Sequence, residues 1–191
     1  TTDLSSMSRG AELTKTGISP ASTPAMSGES VSNVARASTP GSPFGSGAPP
    51  VESARVVLTE AQASFGGRPP LEVKLRFDEG GHARTLVVLV AHFKAMANLD
   101  GYTRRTAAAV ALKRFLDTEY PTRWVLVVGD FNDDLDVSTY RRSATPFAPF
   151  LSDAGYRFTT DALTKGNIST TLTFTSTIDH HLATNELADR F

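Results

Sequence analysis

The chain has 191 residues, with 19 Lys and Arg against 20 Asp and Glu, 40% hydrophobic residues and no cysteine. The lack of cysteine excludes disulfide scaffolds, zinc–thiolate sites and cysteine nucleophiles. The longest apolar run, residues 86–91, is far shorter than the roughly 20 residues of a membrane-spanning helix, so we expect a soluble protein without a membrane anchor. A net charge of -1 gives no overall attraction to a polyanion, so contact with nucleic acid requires a local basic patch.

Residues 1–50 differ in composition from the rest of the chain. Among them, 29 are Ser, Thr, Pro or Gly and only eight are large apolar residues, which is too little apolar surface to offset the entropy of ordering the segment. The sequence therefore predicts a disordered leader over residues 1–50 and one folded domain over residues 51–191. The leader lacks the basic and apolar regions of an intact secretory signal.

Three strands and one long helix are predicted within the folded part. Residues 71–77 alternate apolar and charged side chains, which is typical of a strand with one wet face, and Asp78-Glu79-Gly80-Gly81 predicts a turn. Residues 85–93 and 124–131 are apolar on both faces, as in central strands.

Between these two apolar strands, residues 103–119 form a predicted amphipathic helix that Pro121 follows. Its apolar residues recur at spacings of three and four: Ala107, Val110, Ala111, Leu112, Phe115 and Leu116. A strand, a helix and a strand in this order predict a parallel βαβ crossover. His92, Asp130 and Asn132 then arrive together at the carboxyl ends of the strands, where open α/β sheets bind ligands.

Four segments in chain order resemble one known family. They are Arg68-Pro69-Pro70-Leu71, Ala91-His92-Phe93-Lys94-Ala95, Val128-Gly129-Asp130-Phe131-Asn132-Asp133 and Ser176-Thr177-Ile178-Asp179-His180. The ordered set is similar to the endonuclease/exonuclease/phosphatase superfamily, which includes deoxyribonuclease I and bacterial extracellular nucleases. The resemblance implies an α/β (α+β) fold, here a partial four-layer α/β/β/α sandwich of the deoxyribonuclease I type.

The resemblance also implies hydrolysis of phosphodiesters or phosphomonoesters with Mg²⁺, or Mn²⁺ or Ca²⁺. The matching catalytic positions are His92, Asp130, Asn132 and Asp179. Asp130 would orient or deprotonate the attacking water or bind the metal, and Asn132 would hold the metal or the developing charge. His92 would give a proton or a hydrogen bond, and Asp179 would orient a catalytic histidine or assist at the phosphate.

Several of these side chains also have structural interpretations. Arg68 and Lys94 are candidate phosphate contacts, or solvated surface residues. Asp130 and Asn132 could simply close an Asx turn. Arg105, like its neighbour Arg104 on the predicted helix, is expected to face solvent. Adjacent histidines at positions 180 and 181 point to opposite sides of a strand, so we expect one packed and one exposed, without a catalytic role for either.

The sequence departs from the family at both ends. The early strands that carry an Asn and a metal-binding Glu do not occur before Arg68, where Glu52 and Glu60 lack the family context, and no terminal Ser-Asp-His strand follows His180. We therefore expect a partial catalytic domain with some uncovered apolar sheet surface. Asp130 and Asn132 alone predict weak Mg²⁺ binding, and we expect the isolated chain to hydrolyse substrates barely above background.

The predicted function is divalent-metal-dependent phosphodiester hydrolysis, of the nuclease type, with nucleic acid as the substrate. A phosphatase or phospholipase of the same superfamily is one alternative, and an inactive fragment or binding module is the other. A basic, aromatic-lined groove favours nucleic acid, and a deep small pocket favours the phosphatase. The resemblance to extracellular nucleases favours secretion.

Overall fold

The computed structural model describes residues 49–79, 81–172 and 175–190. The predicted leader lies outside the described residues apart from Pro49 and Pro50, and so does Gly80 of the predicted turn. The strands are β1 (Val51–Val56), β2 (Leu71–Glu79), β3 (His82–His92), β4 (Trp124–Asp130), β5 (Tyr156–Phe158) and β6 (Asp179–Thr184). The helices are α1 (Leu99–Glu119), α2 (Ala148–Leu151), α3 (Asp161–Lys165) and α4 (Asn185–Ala188), and a 3₁₀ turn spans Thr59–Ala61.

The strands form one six-stranded sheet in the order β1-β2-β3-β4-β6-β5. Strands β3 and β4 are parallel, and the other neighbouring strands are antiparallel. Helix α1 connects the parallel pair, because parallel neighbours need a long crossover rather than a tight turn. The mixed sheet with helices confirms the predicted α+β fold class and the predicted βαβ crossover.

The core lies between α1 and one face of the sheet. Alternate residues of a strand point to the same face, and in β3 and β4 those facing α1 are buried. They pack in one cluster with residues of α1: Val87, Leu89, Ala91, Val125, Val127, Ala108, Ala109, Leu112 and Leu116. This packing fixes the ends of β3 and β4 relative to the helix that joins them.

Helix α1 begins four residues earlier than predicted, and its buried face is rotated from the predicted one, although Leu112 and Leu116 are buried as predicted. The side chain of Asn98 caps it by accepting a hydrogen bond of 2.8 Å from the Gly101 amide. Ala107 and Val110, predicted to be in the core, are not buried, and Arg105, predicted to face solvent, is fully buried. The buried stripe contains a paired arginine, which a hydrophobic pattern cannot identify.

The second face of the sheet is partly open, as expected. Helix α4 packs over one region of it, against Leu86, Trp124 and Leu126. Val56, Leu71 and Val90 lie in one row across neighbouring strands and are 54%, 41% and 47% exposed. No helix in the described ranges has the length and apolar character needed to cross a membrane.

Candidate functional site

His92, Asp130 and Asp179 lie side by side across three strands. His92 is the register partner of Asp130 in β3 and β4, and Asp130 is the register partner of Asp179 in β4 and β6. Register partners project from the same face of a sheet, so the three side chains share the open face. Nε2 of His92 lies 3.6 Å from Oδ2 of Asp130, and both side chains are partly exposed. We refer to these three residues as the polar row.

Arg68 determines which nitrogen of His92 carries the proton. Its Nη1 lies 3.0 Å from Nδ1 of His92. A guanidinium group can only donate hydrogen bonds, so Nδ1 must be the acceptor, and the imidazole hydrogen is assigned to Nε2. The His92 N–H is therefore directed to the side of the ring where Asp130 lies, with Arg68 on the opposite side.

Lys94 lies close to Arg68 through a glycine turn. Gly66 has φ +67°, and a Cβ built on it would lie 3.1 Å from Cδ of Lys94 and 3.7 Å from Nη2 of Arg68. The positive φ favours glycine at this position, and a Cβ there would press on the flexible Lys94 side chain. The turn thus packs the side chains of Arg68 and Lys94 near each other, and Arg68 lies against His92.

Asp130 and Asn132 form the tight turn that follows β4. The Asn132 amide donates a hydrogen bond of 2.8 Å to Oδ1 of Asp130, so the Asx turn considered as an alternative is present. It does not preclude a role at the site, because the other carboxylate oxygen of Asp130 is the one near His92. Asn132 has φ +53°, and its Nδ2 donates to the Phe93 carbonyl at 3.1 Å. The amide oxygen of Asn132 is thereby the atom that can bind a cation.

The donor atoms around this turn are few for a divalent metal ion. Within the described ranges, no three His, Asp or Glu side chains are grouped as a metal site would require. Glu52 contacts Thr85 at the far end of β3 and is not at the polar row. Asp130 and Asn132 provide one carboxylate and one amide, whereas Mg²⁺ needs near-octahedral oxygen coordination and is completed by water and substrate phosphate. These residues do not by themselves form a metal site.

The structure adds a buried ion pair that the sequence patterns did not predict. Nε of Arg105 lies 2.8 Å from Oδ2 of Asp133, and both side chains are completely buried. Nη1 of Arg105 donates to the carbonyls of Lys94 and Met96 at 2.8 and 3.0 Å. Charged side chains are almost never fully buried unless they are paired. The one feature of the sequence that could have indicated this ion pair is the position of Asp133 directly after the Gly-Asp-Phe-Asn segment.

His180 lies in the core behind the polar row, while His181 is exposed, as predicted for adjacent strand residues. Nε2 of His180 lies 3.1 Å from the Asp133 carbonyl, and Nδ1 lies 3.1 Å from Oγ1 of Thr160. Burial lowers the pKa of His180 below its ordinary value, despite the nearby carboxylates of Asp134 and Asp179. A neutral ring with both nitrogens engaged is a structural element of the core.

No protein-family model matches the chain, and no curated protein sequence matches it. Solved structures that are similar to it include an endonuclease/exonuclease/phosphatase from Beutenbergia cavernae DSM 12333, with 16% identity and a TM-score of 0.49 over 72% of this chain and 38% of that chain. The human nocturnin catalytic domain with bound sulfate has 14% identity and a TM-score of 0.42 over 72% of this chain and 49% of that chain.

A third similar structure is D. rerio TDP2 complexed with a single-strand DNA product, with 12% identity and a TM-score of 0.41 over 72% of this chain and 54% of that chain. The chain therefore spans about half or less of the length of these structures.

Proposed function

We propose that this chain carries a phosphoester-hydrolysing site of the endonuclease/exonuclease/phosphatase type, acting on a phosphodiester of nucleic acid. The observation that carries the proposal is the polar row, with Arg68 hydrogen-bonded to His92. An imidazole N–H next to a partly exposed carboxylate places a hydrogen-bond donor and an acceptor on the same side of the sheet, where both can contact one phosphate and its attacking water. Arg68 beside the imidazole, with Lys94 at the neighbouring glycine turn, supplies the positive charge that a phosphate ligand needs.

The proton steps are assigned to His92 and Asp130. Oδ2 of Asp130 accepts a hydrogen bond from the attacking water, orients it toward phosphorus and takes its proton as the new P–O bond forms. The Nε2–H of His92 donates a hydrogen bond to a phosphoryl oxygen or to the leaving oxygen, which departs as the ester P–O bond breaks and takes its proton from solvent. Asp179, the neighbour of Asp130 in register, keeps negative charge next to Asp130 and so favours its acceptor role.

Arg68 and Lys94 are assigned to stabilise the negative charge that develops on the phosphoryl group. Arg68 uses one N–H toward His92 and has other donors for phosphate oxygens, in the planar geometry that suits bidentate contact. A divalent cation such as Mg²⁺ would add positive charge at the phosphate, with Asp130 and Asn132 as its two protein ligands. We assign it no step, because these two ligands are too few to hold it without substrate.

Nucleic acid is the favoured substrate because a loop with two exposed arginines and a half-buried tyrosine follows the site turn. Arg141 is exposed, Arg142 follows it, and the Arg141 guanidinium lies 5.4 Å from the ring centroid of Tyr140. The rings of Tyr140 and Tyr102 are 5.4 Å apart. Aromatic rings next to cations are typical of surfaces that bind single-stranded nucleic acid.

Two surface grooves of the described residues lie along the outer face of α1, and neither includes a residue of the polar row.

The test compares two histidines of the same strand. His92 lies at the carboxyl end of β3, and His82 at its amino end. We expect slow hydrolysis of bis-p-nitrophenyl phosphate and of single-stranded DNA in Mg²⁺ by the wild-type chain. His92→Ala should lower the rate to the level of buffer, because the hydrogen bond to the phosphoryl or leaving oxygen is lost, and His82→Ala should leave it unchanged. A wild-type rate no higher than that of the His92→Ala/Asp130→Ala double variant would contradict the proposal.

The choice of substrate is tested separately at the basic loop. Arg141→Ala/Arg142→Ala should weaken binding of a fluorescent single-stranded DNA and reduce the dependence of log Kd on log salt by about one for each phosphate that is no longer neutralised. Hydrolysis of bis-p-nitrophenyl phosphate should not change. Arg114→Ala, at an exposed position of α1, is the matched control. Unchanged DNA binding in the double variant would favour the phosphatase or phospholipase alternative.

A further inference from the structure

The structure assigns Arg105 to a positioning role in the proposed site, and this inference rests on the proposed function. Its guanidinium group joins two loops that come from different strands. The first follows β3 and carries Lys94, and the second follows β4 and carries Asn132. We refer to Arg105 and Asp133 as the buried clamp.

The contact with the first loop is made through backbone atoms. Nη1 of Arg105 donates to the carbonyls of Lys94 and Met96, two and four residues after His92. Met96 has φ +85°, so this turn is held in a conformation that side-chain-bearing residues rarely adopt. A Cβ on Gly101 would lie 2.2 Å from the Met96 carbonyl oxygen. The first turn of α1 therefore approaches this loop as closely as backbone atoms allow.

The contact with the second loop is made through Asp133. Its Oδ2 accepts hydrogen bonds of 2.8 Å from both Nε of Arg105 and Oγ of Ser138. Its Oδ1 accepts from the amides of Thr139 and Asp134 at 2.6 and 3.1 Å. Because Asp133 is bonded directly to Asn132, the clamp also fixes the Asp130–Asn132 turn. The Arg105 side chain thus joins the two loops, in addition to the hydrogen bond from Nδ2 of Asn132 to the Phe93 carbonyl.

The clamp is expected to add little to the stability of the fold, which favours a positioning role for it. Both side chains have no exposed surface, and among the described residues Nη2 of Arg105 is buried without a hydrogen-bond partner. Removing two charges from water costs free energy that their attraction often fails to recover, so apolar or neutral replacements of such pairs are frequently neutral or stabilising. A fold that needed only stability at this position would be served as well by uncharged residues.

Arg68 provides an internal reference, because it belongs to the segment before β2 and has no contact with the clamp among its described hydrogen bonds. Phosphate binding by Arg68 should therefore survive the loss of the clamp. Alignment of His92, Asp130 and Asn132 should not, because they lie within three residues of the clamped positions. This difference predicts a fall in kcat with little change in KM.

The experiment uses Arg105→Met/Asp133→Asn, which removes both charges but leaves a side-chain amide at position 133, whose oxygen can still accept from the Thr139 amide while its NH₂ group can donate to Oγ of Ser138. We expect kcat for bis-p-nitrophenyl phosphate to fall by ~10- to 100-fold, the effect of misplacing reacting groups by about 1 Å, and KM to change by less than about threefold. Amide hydrogen exchange should become faster in residues 94–97 and 132–139. Arg114→Met, on the exposed side of the same helix, is the control. Arg105→Lys is measured as well, in case the double variant does not fold.

The outcomes separate this inference from the proposed function. A wild-type chain without hydrolytic activity would defeat the proposed function, and the clamp would then be judged from hydrogen exchange alone. Faster exchange in both loops supports it. Wild-type exchange in both loops overturns it, and so does a variant that unfolds more easily but keeps its kcat.

Discussion

His180 shows how a single side chain can link acid stability to the site turn. Burial lowers the pKa of His180 in the folded protein. At pH values between the folded and unfolded pKa, the unfolded chain therefore binds a proton that the folded chain does not. The stabilisation is fully present above the unfolded pKa, about 6.5, and is lost as the pH falls through the folded pKa. We expect the free energy of unfolding in urea to decrease below about pH 6.5, and His180→Gln to weaken that dependence.

His181→Gln is the control for this measurement, since His181 is the exposed neighbour on the same strand and its replacement should leave the pH dependence unchanged. Equal pH profiles for His180→Gln and the wild-type chain would show that another group is responsible for the acid instability. The fold of each variant can be checked by circular dichroism at about pH 7.5, where the histidine is neutral in both states.

The residues of the polar row could be predicted from sequence because each lies at the end of a recognisable strand or motif. The carboxyl ends of parallel neighbours meet at one edge, which is why His92 and Asp130 are together in the structure. Arg105 could not be predicted in this way. Hydrophobic patterns report the polarity of a side chain, whereas the burial of an arginine depends on a partner 28 residues away.

At the level of elements, Gly129 allows the two parallel strands to place the polar row correctly. It has φ +141°, and a Cβ on it would lie 2.0 Å from the Ala91 carbonyl oxygen of β3. Gly129→Ala must therefore push β3 and β4 apart next to His92 and Asp130. We expect the free energy of unfolding to fall by ~3 kcal/mol or more, above the roughly 1–3 kcal/mol of an unfavourable backbone conformation alone, and hydrolysis to be abolished.

Gly81→Ala is the comparison for Gly129→Ala. Gly81 has φ +85° with no atom within 4 Å of a built Cβ, so its replacement carries the backbone penalty without the clash. The free energy of unfolding of both variants is measured by denaturant unfolding. Similar decreases would show that the close approach of β3 and β4 at Gly129 contributes little to the cost of Gly129→Ala.

The elements that could be predicted are those with long, regular patterns, namely β2, β3, β4 and α1. Strand β1 is exposed along its whole length and so lacks an alternating pattern. Helices α2, α3 and α4 have only four or five residues each and no side-chain cap, so tertiary packing rather than local sequence determines them. The start of α1 depended on a cap at Asn98 that precedes the apolar repeat.

On the scale of the whole molecule, the sheet has one covered and one partly open face, and the polar row lies on the open one. Val90 and Val128 are register partners that precede His92 and Asp130 by two residues. Because alternate strand residues share a face, an apolar row runs directly beside the polar row. The candidate site thus borders an apolar surface on one side, while Arg68 lies against His92.

The open face leads to a prediction about the behaviour of the chain in solution. Contiguous exposed apolar surface on a sheet binds hydrophobic dyes and promotes association. We expect the folded chain to increase the fluorescence of the dye anilinonaphthalene sulfonate, and Val56→Thr/Val90→Thr to lower that increase, because threonine keeps the β-branched shape that suits a strand but adds a hydroxyl group. Val110→Thr is the control, since Val110 is as exposed as Val56, at 54%, but lies on α1. Equal dye fluorescence in the double variant and the wild-type chain, with both folded, would place the dye-binding surface elsewhere.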